Sequence, residues 1–160
     1  MQVECRPENG ALAYYVDGEA PGARIRTPEI NAHASPVATV KAVRDRITAL
    51  LRGMTRYGDL VVEGRDITTV VFPDSPARFY LTASPEARAR RRQLEEVATG
   101  VANQSAEAVK ASLLARDAID STRAYAPLRK ADGVLEIDST QLTLDQVVET
   151  VLDALPAGWR

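Results

Sequence analysis

Strand-like and helix-like stretches alternate through the later part of this chain, and that alternation most narrows what it can fold into. Ala77 to Thr82 (Ala-Arg-Phe-Tyr-Leu-Thr) reads as a strand. Ser84-Pro85-Glu86 follows with a cap, a proline at the first helical position and an acid in the first turn, the order that starts a helix. That helix carries Arg88, Arg90, Arg91 and Arg92 and is expected to stop near Gly100. Strand and helix recur at Gly133 to Ile137 and at Thr143 to Leu155. There Thr143 and Gln146 stand as a capping box, and Val147, Val148, Val151, Leu152 and Leu155 make the apolar face. Earlier, Val61-Val62 reads as a short buried strand running into Gly64-Arg65-Asp66. The pattern predicts an α/β fold, a largely parallel sheet covered by helices. In open sheets of this kind ligands bind at strand ends, where Arg65 and Asp66 place a cation beside a carboxylate.

The chain separates into three regions. Residues 1–56 open with two strand-like runs, Met1 to Cys5 and Ala11 to Val16, joined through Glu8-Asn9-Gly10; Asn-Gly is a strong hairpin signal. Thr27-Pro28-Glu29 starts a helix, and a longer one is expected from Val37 to Met54, with Val40, Val43, Ile47, Leu50 and Leu51 at helical spacing. Residues 57–92 and 131–160 carry the α/β core. Residues 93–130 interrupt the alternation with a polar, helical stretch poor in large apolar residues, a candidate moving element.

Composition excludes more than it assigns. The chain is 45% hydrophobic and 26% charged, the balance of an ordinary globular protein. No apolar run approaches the roughly 18 residues needed to span a bilayer, and Met1 to Arg6 has no signal-peptide character, so a cytoplasmic location without membrane association is expected. A net charge of −2 gives no reason to expect nucleic acid. The cations are lopsided, seventeen Arg against three Lys, and Arg is the better residue for a bidentate grip on phosphate. Cys5 is expected to pack under a strand, and His33 to lie on a helix surface.

Arg116, Asp120 and Arg123 fall at i, i+4 and i+7 within the inserted helical stretch, so one helix face presents all three. On spacing alone such a trio is a solvated ion pair worth under roughly 1 kcal/mol. Its setting points further. Ala115-Arg116-Asp117-Ala118-Ile119-Asp120-Ser121-Thr122-Arg123-Ala124-Tyr125-Ala126-Pro127-Leu128 resembles the lid of bacterial cytidylate kinases, nucleoside monophosphate kinases of the P-loop class. Val61 to Asp74, with Gly64-Arg65-Asp66, resembles another stretch of the same family. Ile25 to Ser35 with Val43-Arg44 resembles its base-holding segment. Thr68 departs from the family's usual glycine, which raises the question of crowding in that turn.

The resemblance implies a P-loop NTPase-type parallel sheet with flanking helices, a nucleotide-binding insertion and a helical lid. It implies transfer of the γ-phosphate of ATP to CMP or dCMP with Mg²⁺. It also implies roles: Ser35, Arg44 and Asp66 on cytosine, Arg65 on the CMP phosphate, Asp120 on the ribose, and Arg116 and Arg123 on the transferring group. The chemistry is coherent, since a carboxylate accepts from cytosine's exocyclic amine and an Arg fork donates to its ring nitrogen and carbonyl. UMP presents the opposite pattern and leaves buried polar groups unpaired.

The donor side has no counterpart in these residues. No Gly-x-x-x-x-Gly-Lys-Ser/Thr run occurs, and Lys41, Lys110 and Lys130 lack the glycines that such a loop requires. The family carries that loop ahead of the segment at which this chain begins, so the expected sheet is incomplete and ATP binding is doubtful. Two readings stay open: a cytidylate kinase lacking its P-loop segment, or a non-catalytic nucleotide- or anion-binding module or half of a split kinase. An incomplete sheet is expected to leave an unpaired edge, prone to self-association or to pairing with a complementing P-loop fragment.

Overall fold

Four strands and five α-helices follow one another among the described residues of the computed structural model, which describes residues 2–99 and 105–159. The Met1 start of the first strand and the expected helix stop near Gly100 lie outside the described residues. The chain divides into two compact units, Met1–Val62 and Glu63–Arg160. No helix among the described residues is long and apolar enough to cross a membrane.

In the first unit, β1 (Val3–Glu8) and β2 (Ala11–Val16) pair antiparallel from Val3 opposite Val16 to Glu8 opposite Ala11. The two-residue loop is Asn9-Gly10, with φ of 50° and 77°; both residues take the left-handed region that the twist of a tight hairpin demands. Cys5 is buried on β1, as expected, and the Tyr57 hydroxyl donates to its carbonyl at 2.7 Å. Burial pushes the Cys5 thiol pKa up.

Helix α1 (Pro28–Ala38) begins at the predicted cap, where the Thr27 hydroxyl accepts from the Ile30 amide at 3.3 Å. The single helix expected from Val37 to Met54 is instead a join between α1 and a second helix, α2 (Lys41–Gly53). Pro36 sits inside the last turn of α1 without an amide to donate, and Val40 takes an extended conformation (ψ 116°) that breaks the spiral. The apolar face of α2 is shallow: no residue of the helix is fully buried, and Val40 and Ile47 are exposed. His33 is exposed on α1, its Nδ1 2.8 Å from the Glu29 carbonyl.

The second unit holds β3 (Phe79–Thr82) and β4 (Leu135–Asp138), paired parallel with Phe79 opposite Leu135 and Thr82 opposite Asp138. The chain crosses between them through α3 (Pro85–Thr99) and α4 (Ala106–Thr122), which pack on each other, and returns through α5 (Leu144–Asp153). This is the predicted α/β alternation. Ala89 on α3, Val109 on α4, Val134 and Ile137 are buried, and Val71 is the most buried apolar residue of the unit. The Ser139 amide and hydroxyl both donate to the Thr82 carbonyl at 2.8 Å, extending the β3–β4 pairing past the last ladder residue. The α5 capping box is present in full: the Thr143 hydroxyl accepts from the Gln146 amide, and the Gln146 side chain accepts from the Thr143 amide at 2.9 Å.

Val61-Val62 is not a strand. The pair runs as unladdered chain, and Val61 is fully exposed, at 104% of its reference area. A strand exists only where its amides and carbonyls find a ladder, and no described strand pairs with this segment.

Candidate functional site

Gly64 and the turn after it position the first site residues. A Cβ on Gly64 would stand 2.9 Å from both Cγ1 and Cδ1 of Ile67, so the chain folds back on itself here at a separation only glycine accepts without displacement. Residues Ile67–Val71 then form one π-helical turn: the Asp66 carbonyl accepts from Val70 at 2.9 Å and Val71 at 3.2 Å, and the Ile67 carbonyl accepts from Phe72 at 2.7 Å. Such wide turns re-aim side chains and recur at functional sites. Thr68 lies inside this turn without a positive φ, so the turn accommodates a side chain there and the crowding that the sequence raised does not force a left-handed backbone. Asp66 is buried at the head of the turn and engaged in polar interactions.

Around Arg65 the structure assembles an alternating chain of charges. The Arg88 Nη1 donates to Asp117 Oδ2, and the Arg65 Nη1 donates to Asp117 Oδ1. Arg65 Nε then lies 3.7 Å from Asp120 Oδ2, and Arg123 Nη1 donates to Asp120 Oδ1 at 3.2 Å. Arg116 Nε joins from one turn earlier on α4, 3.8 Å from Asp120 Oδ2. The contacts at 3.7 and 3.8 Å are charge contacts, too long for hydrogen bonds. The loop at Arg65, α3 at Arg88 and α4 at Arg116, Asp117 and Asp120 thus converge on one cluster, with Arg123 at the end of α4.

The inner end of the cluster is dry. Asp120 is 2% exposed and the Arg123 side chain 2%. The Leu128 amide donates to the Asp120 carbonyl at 2.8 Å, and Arg123 Nε donates to the carbonyl of Ala126, which takes φ +50°, at 2.7 Å. The segment after α4 therefore folds back and locks both partners. This is not the solvated surface pair that spacing alone predicts. Asp117 is half-buried: burial raises its carboxyl pKa, but the hydrogen bonds and charges of Arg65 and Arg88 outweigh it, and the net shift is downward.

Four guanidinium groups here share two carboxylates, leaving positive charge in excess. Two buried N–H positions, Arg88 Nε and Arg123 Nη2, have no hydrogen-bond partner among the described residues. Buried donors without acceptors are costly and are normally satisfied, so these two N–H groups are open to acceptor oxygens.

Of the residues singled out from sequence, Arg65, Arg116, Asp120 and Arg123 come together, with Asp66 next in chain. Ser35 and Arg44 belong to the first unit. Ser35 is buried on α1 with its hydroxyl lacking a partner among the described residues, and Arg44 is half-buried on α2. Sequence reasoning missed Arg88 and Asp117. Asp117 stands three residues before Asp120, on nearly the same helix face, so the spacing that selected Asp120 also carried the signal for it.

The lysines lie elsewhere in ordinary ion pairs, Lys41 with Asp45 at 2.6 Å, Lys110 with Glu86 at 2.5 Å and Lys130 with Glu136 at 2.7 Å. Among the described residues no three His, Cys, Asp or Glu side chains are placed to hold a metal ion. These 160 residues contain no Gly-x-x-x-x-Gly-Lys-Ser/Thr run to cradle donor phosphates, and no chemical step through the donor nucleotide or its Mg²⁺ is derived from them.

The family model described as cytidylate kinase matches residues 1–157. A cytidylate kinase of Streptomyces griseus is 48% identical over 139 residues, covering 86% of this chain and 58% of that relative. One from Mycolicibacterium paratuberculosis is 43% identical over 154 residues, covering 96% and 66%, and one from Geobacter sulfurreducens 45% identical over 141 residues, covering 88% and 60%. The chain thus spans roughly three-fifths to two-thirds of the length of the curated relatives it matches.

Proposed function

This chain belongs to the cytidylate kinase family, and from that premise we propose that it forms the phosphate-acceptor side of a kinase that transfers the γ-phosphate of ATP to CMP or dCMP. The observation that carries the reading is the cluster of four guanidinium groups on two carboxylates, centred on Arg65, with buried N–H groups awaiting acceptors. In this reading Arg65 grips the CMP phosphate. Arg116 and Arg123 spread positive charge over the group in transit, where catalysis of phosphoryl transfer is mostly positioning and charge neutralisation. Asp120 takes the ribose hydroxyls, and Ser35, Arg44 and Asp66 read cytosine. Residues 93–130 act as the lid, 1–56 as the nucleotide-binding region, and 57–92 with 131–160 as the core. The setting is the cytoplasm, where nucleotide pools are phosphorylated.

Because these 160 residues contain no Gly-x-x-x-x-Gly-Lys-Ser/Thr run, the reading assigns them the acceptor half and leaves the donor phosphates and Mg²⁺ to a P-loop that they do not include. The same observation supports a second reading, a nucleotide- or anion-binding module that acts without phosphoryl transfer. Calorimetry with CMP and ATP titrated separately tests the acceptor assignment: CMP binds and ATP does not. ATP binding, or turnover of CMP with ATP and Mg²⁺ by these 160 residues alone, refutes the assignment of a half-site. Activity gained on adding a family P-loop segment favours the kinase over the module.

A further inference from the structure

The geometry points to Asp117 as an internal stand-in for the acceptor's phosphate: the lid helix carries its own anion, and an incoming phosphate must displace it. The inference rests on the reading of Arg65 as a phosphate contact, and it adds Arg88 as a second one.

Asp117 behaves as a bridging anion does. Each carboxylate oxygen accepts from a different guanidinium, Oδ1 from Arg65 and Oδ2 from Arg88, so one carboxylate clamps two cations that come from the Gly64–Asp66 loop and from α3. Without it the two like charges would repel. A carboxylate has two oxygens to offer, and both are used; Arg88 Nε and Arg123 Nη2 remain buried without acceptors at the two ends of the cluster. A phosphate group offers three oxygens and up to two charges, so in place of Asp117 it keeps the contacts to Arg65 and Arg88, has a further oxygen for the buried Arg88 Nε and answers the excess of guanidinium over carboxylate. Asp120 is the fixed member of the pair, enclosed and pinned through the Leu128 amide. Asp117 lies nearer solvent, its side chain 21% exposed against 3% for Asp120. The arrangement holds Arg65 and Arg88 pre-aimed while no nucleotide is present and lowers the apparent affinity for any anion by the fraction of time the clamp is shut.

The test is a set of calorimetric titrations of inorganic phosphate, CMP and cytidine into the whole chain and its variants Asp117→Asn, Arg88→Met and Glu86→Gln, with circular dichroism checking that each is folded. Asp117→Asn is expected to bind phosphate and CMP about tenfold more tightly, the scale of one displaced charge-assisted contact, with cytidine unchanged. Arg88→Met is expected to weaken both. Glu86→Gln removes one negative charge from the exposed ion pair between Glu86 on α3 and Lys110 on α4, outside the cluster, and is expected to leave all three within twofold. A merely structural Asp117 would lose affinity on substitution, so the gain is the signature. Unchanged or weaker phosphate binding by Asp117→Asn, an equal gain in Glu86→Gln, or phosphate binding by neither chain overturns the inference. Should CMP bind no better than cytidine while Asp117→Asn still tightens phosphate, the acceptor reading falls and the stand-in survives.

Discussion

Asp120→Asn is the substitution whose cost the structure specifies most closely. The side chain keeps its volume and one acceptor, so the change removes charge and little else. Arg123, 2% exposed, then sits as a buried cation with no counter-charge within hydrogen-bonding reach. Breaking a buried pair from one side costs about 3–5 kcal/mol, and the retained amide oxygen places this case at the low end, about 3 kcal/mol. Arg65 and Arg116 touch Asp120 at 3.7 and 3.8 Å from more exposed positions, and losing each contact adds well under about 1 kcal/mol. For a unit of this size a loss of about 3 kcal/mol lowers Tm by about 12–24 °C. The assay is urea unfolding followed by far-ultraviolet circular dichroism, with Arg116→Met as the exposed control expected to cost less than about 1 kcal/mol. Asp120→Asn combined with Arg123→Met removes the orphaned cation and is expected to recover part of the loss. A cost below about 1 kcal/mol for Asp120→Asn, or a double variant worse than the sum of the single ones, refutes the argument that this pair is buried and mutually dependent.

Two further outcomes follow from the same geometry. The Asp117 carboxyl is depressed in the folded state, so its contribution is present above the unfolded carboxylate value of about 3.9 and is lost as pH falls through the lower folded value; Asp117→Asn should flatten that acid limb in a stability-versus-pH series, and an unaltered limb contradicts the shift. Gly64→Ala brings a methyl to 2.9 Å from the Ile67 side chain, which can swing, so the expected cost is about 1 kcal/mol by urea unfolding. Ile67→Ala should relieve it in the double variant, and additive losses would show that the clash is not the cause.

Local rules were legible wherever a residue acts on its immediate neighbours. Asn9-Gly10, Thr27 before Pro28, Ser84 before Pro85 and the Thr143–Gln146 box all specify their turns or caps within four residues, and each forms as read. Periodicity misled between Val37 and Met54, because a regular apolar spacing runs on through the break after Pro36 that ends α1. Val61-Val62 misled for the opposite reason: two β-branched residues state a propensity, and a strand needs a partner that propensity does not provide. In the cluster, the spacing of Arg116, Asp120 and Arg123 was readable, since the first two lie within α4 and Arg123 is its extended C-cap. The burial of Asp120 was not, because it depends on residues 126–128 folding back through the Ala126 turn. Arg88 and Asp117 stand 29 residues apart in sequence, and no local pattern joins them.

The most direct measurement is the difference between the affinities of the chain for CMP and for cytidine, taken by calorimetry in the native protein and in Arg65→Ala. If Arg65 holds the acceptor's phosphate, the native chain binds CMP more tightly than cytidine, and Arg65→Ala loses most of that difference while cytidine binding is kept. If CMP retains its full advantage over cytidine without Arg65, the phosphate is held elsewhere and the acceptor site described around this residue is wrong.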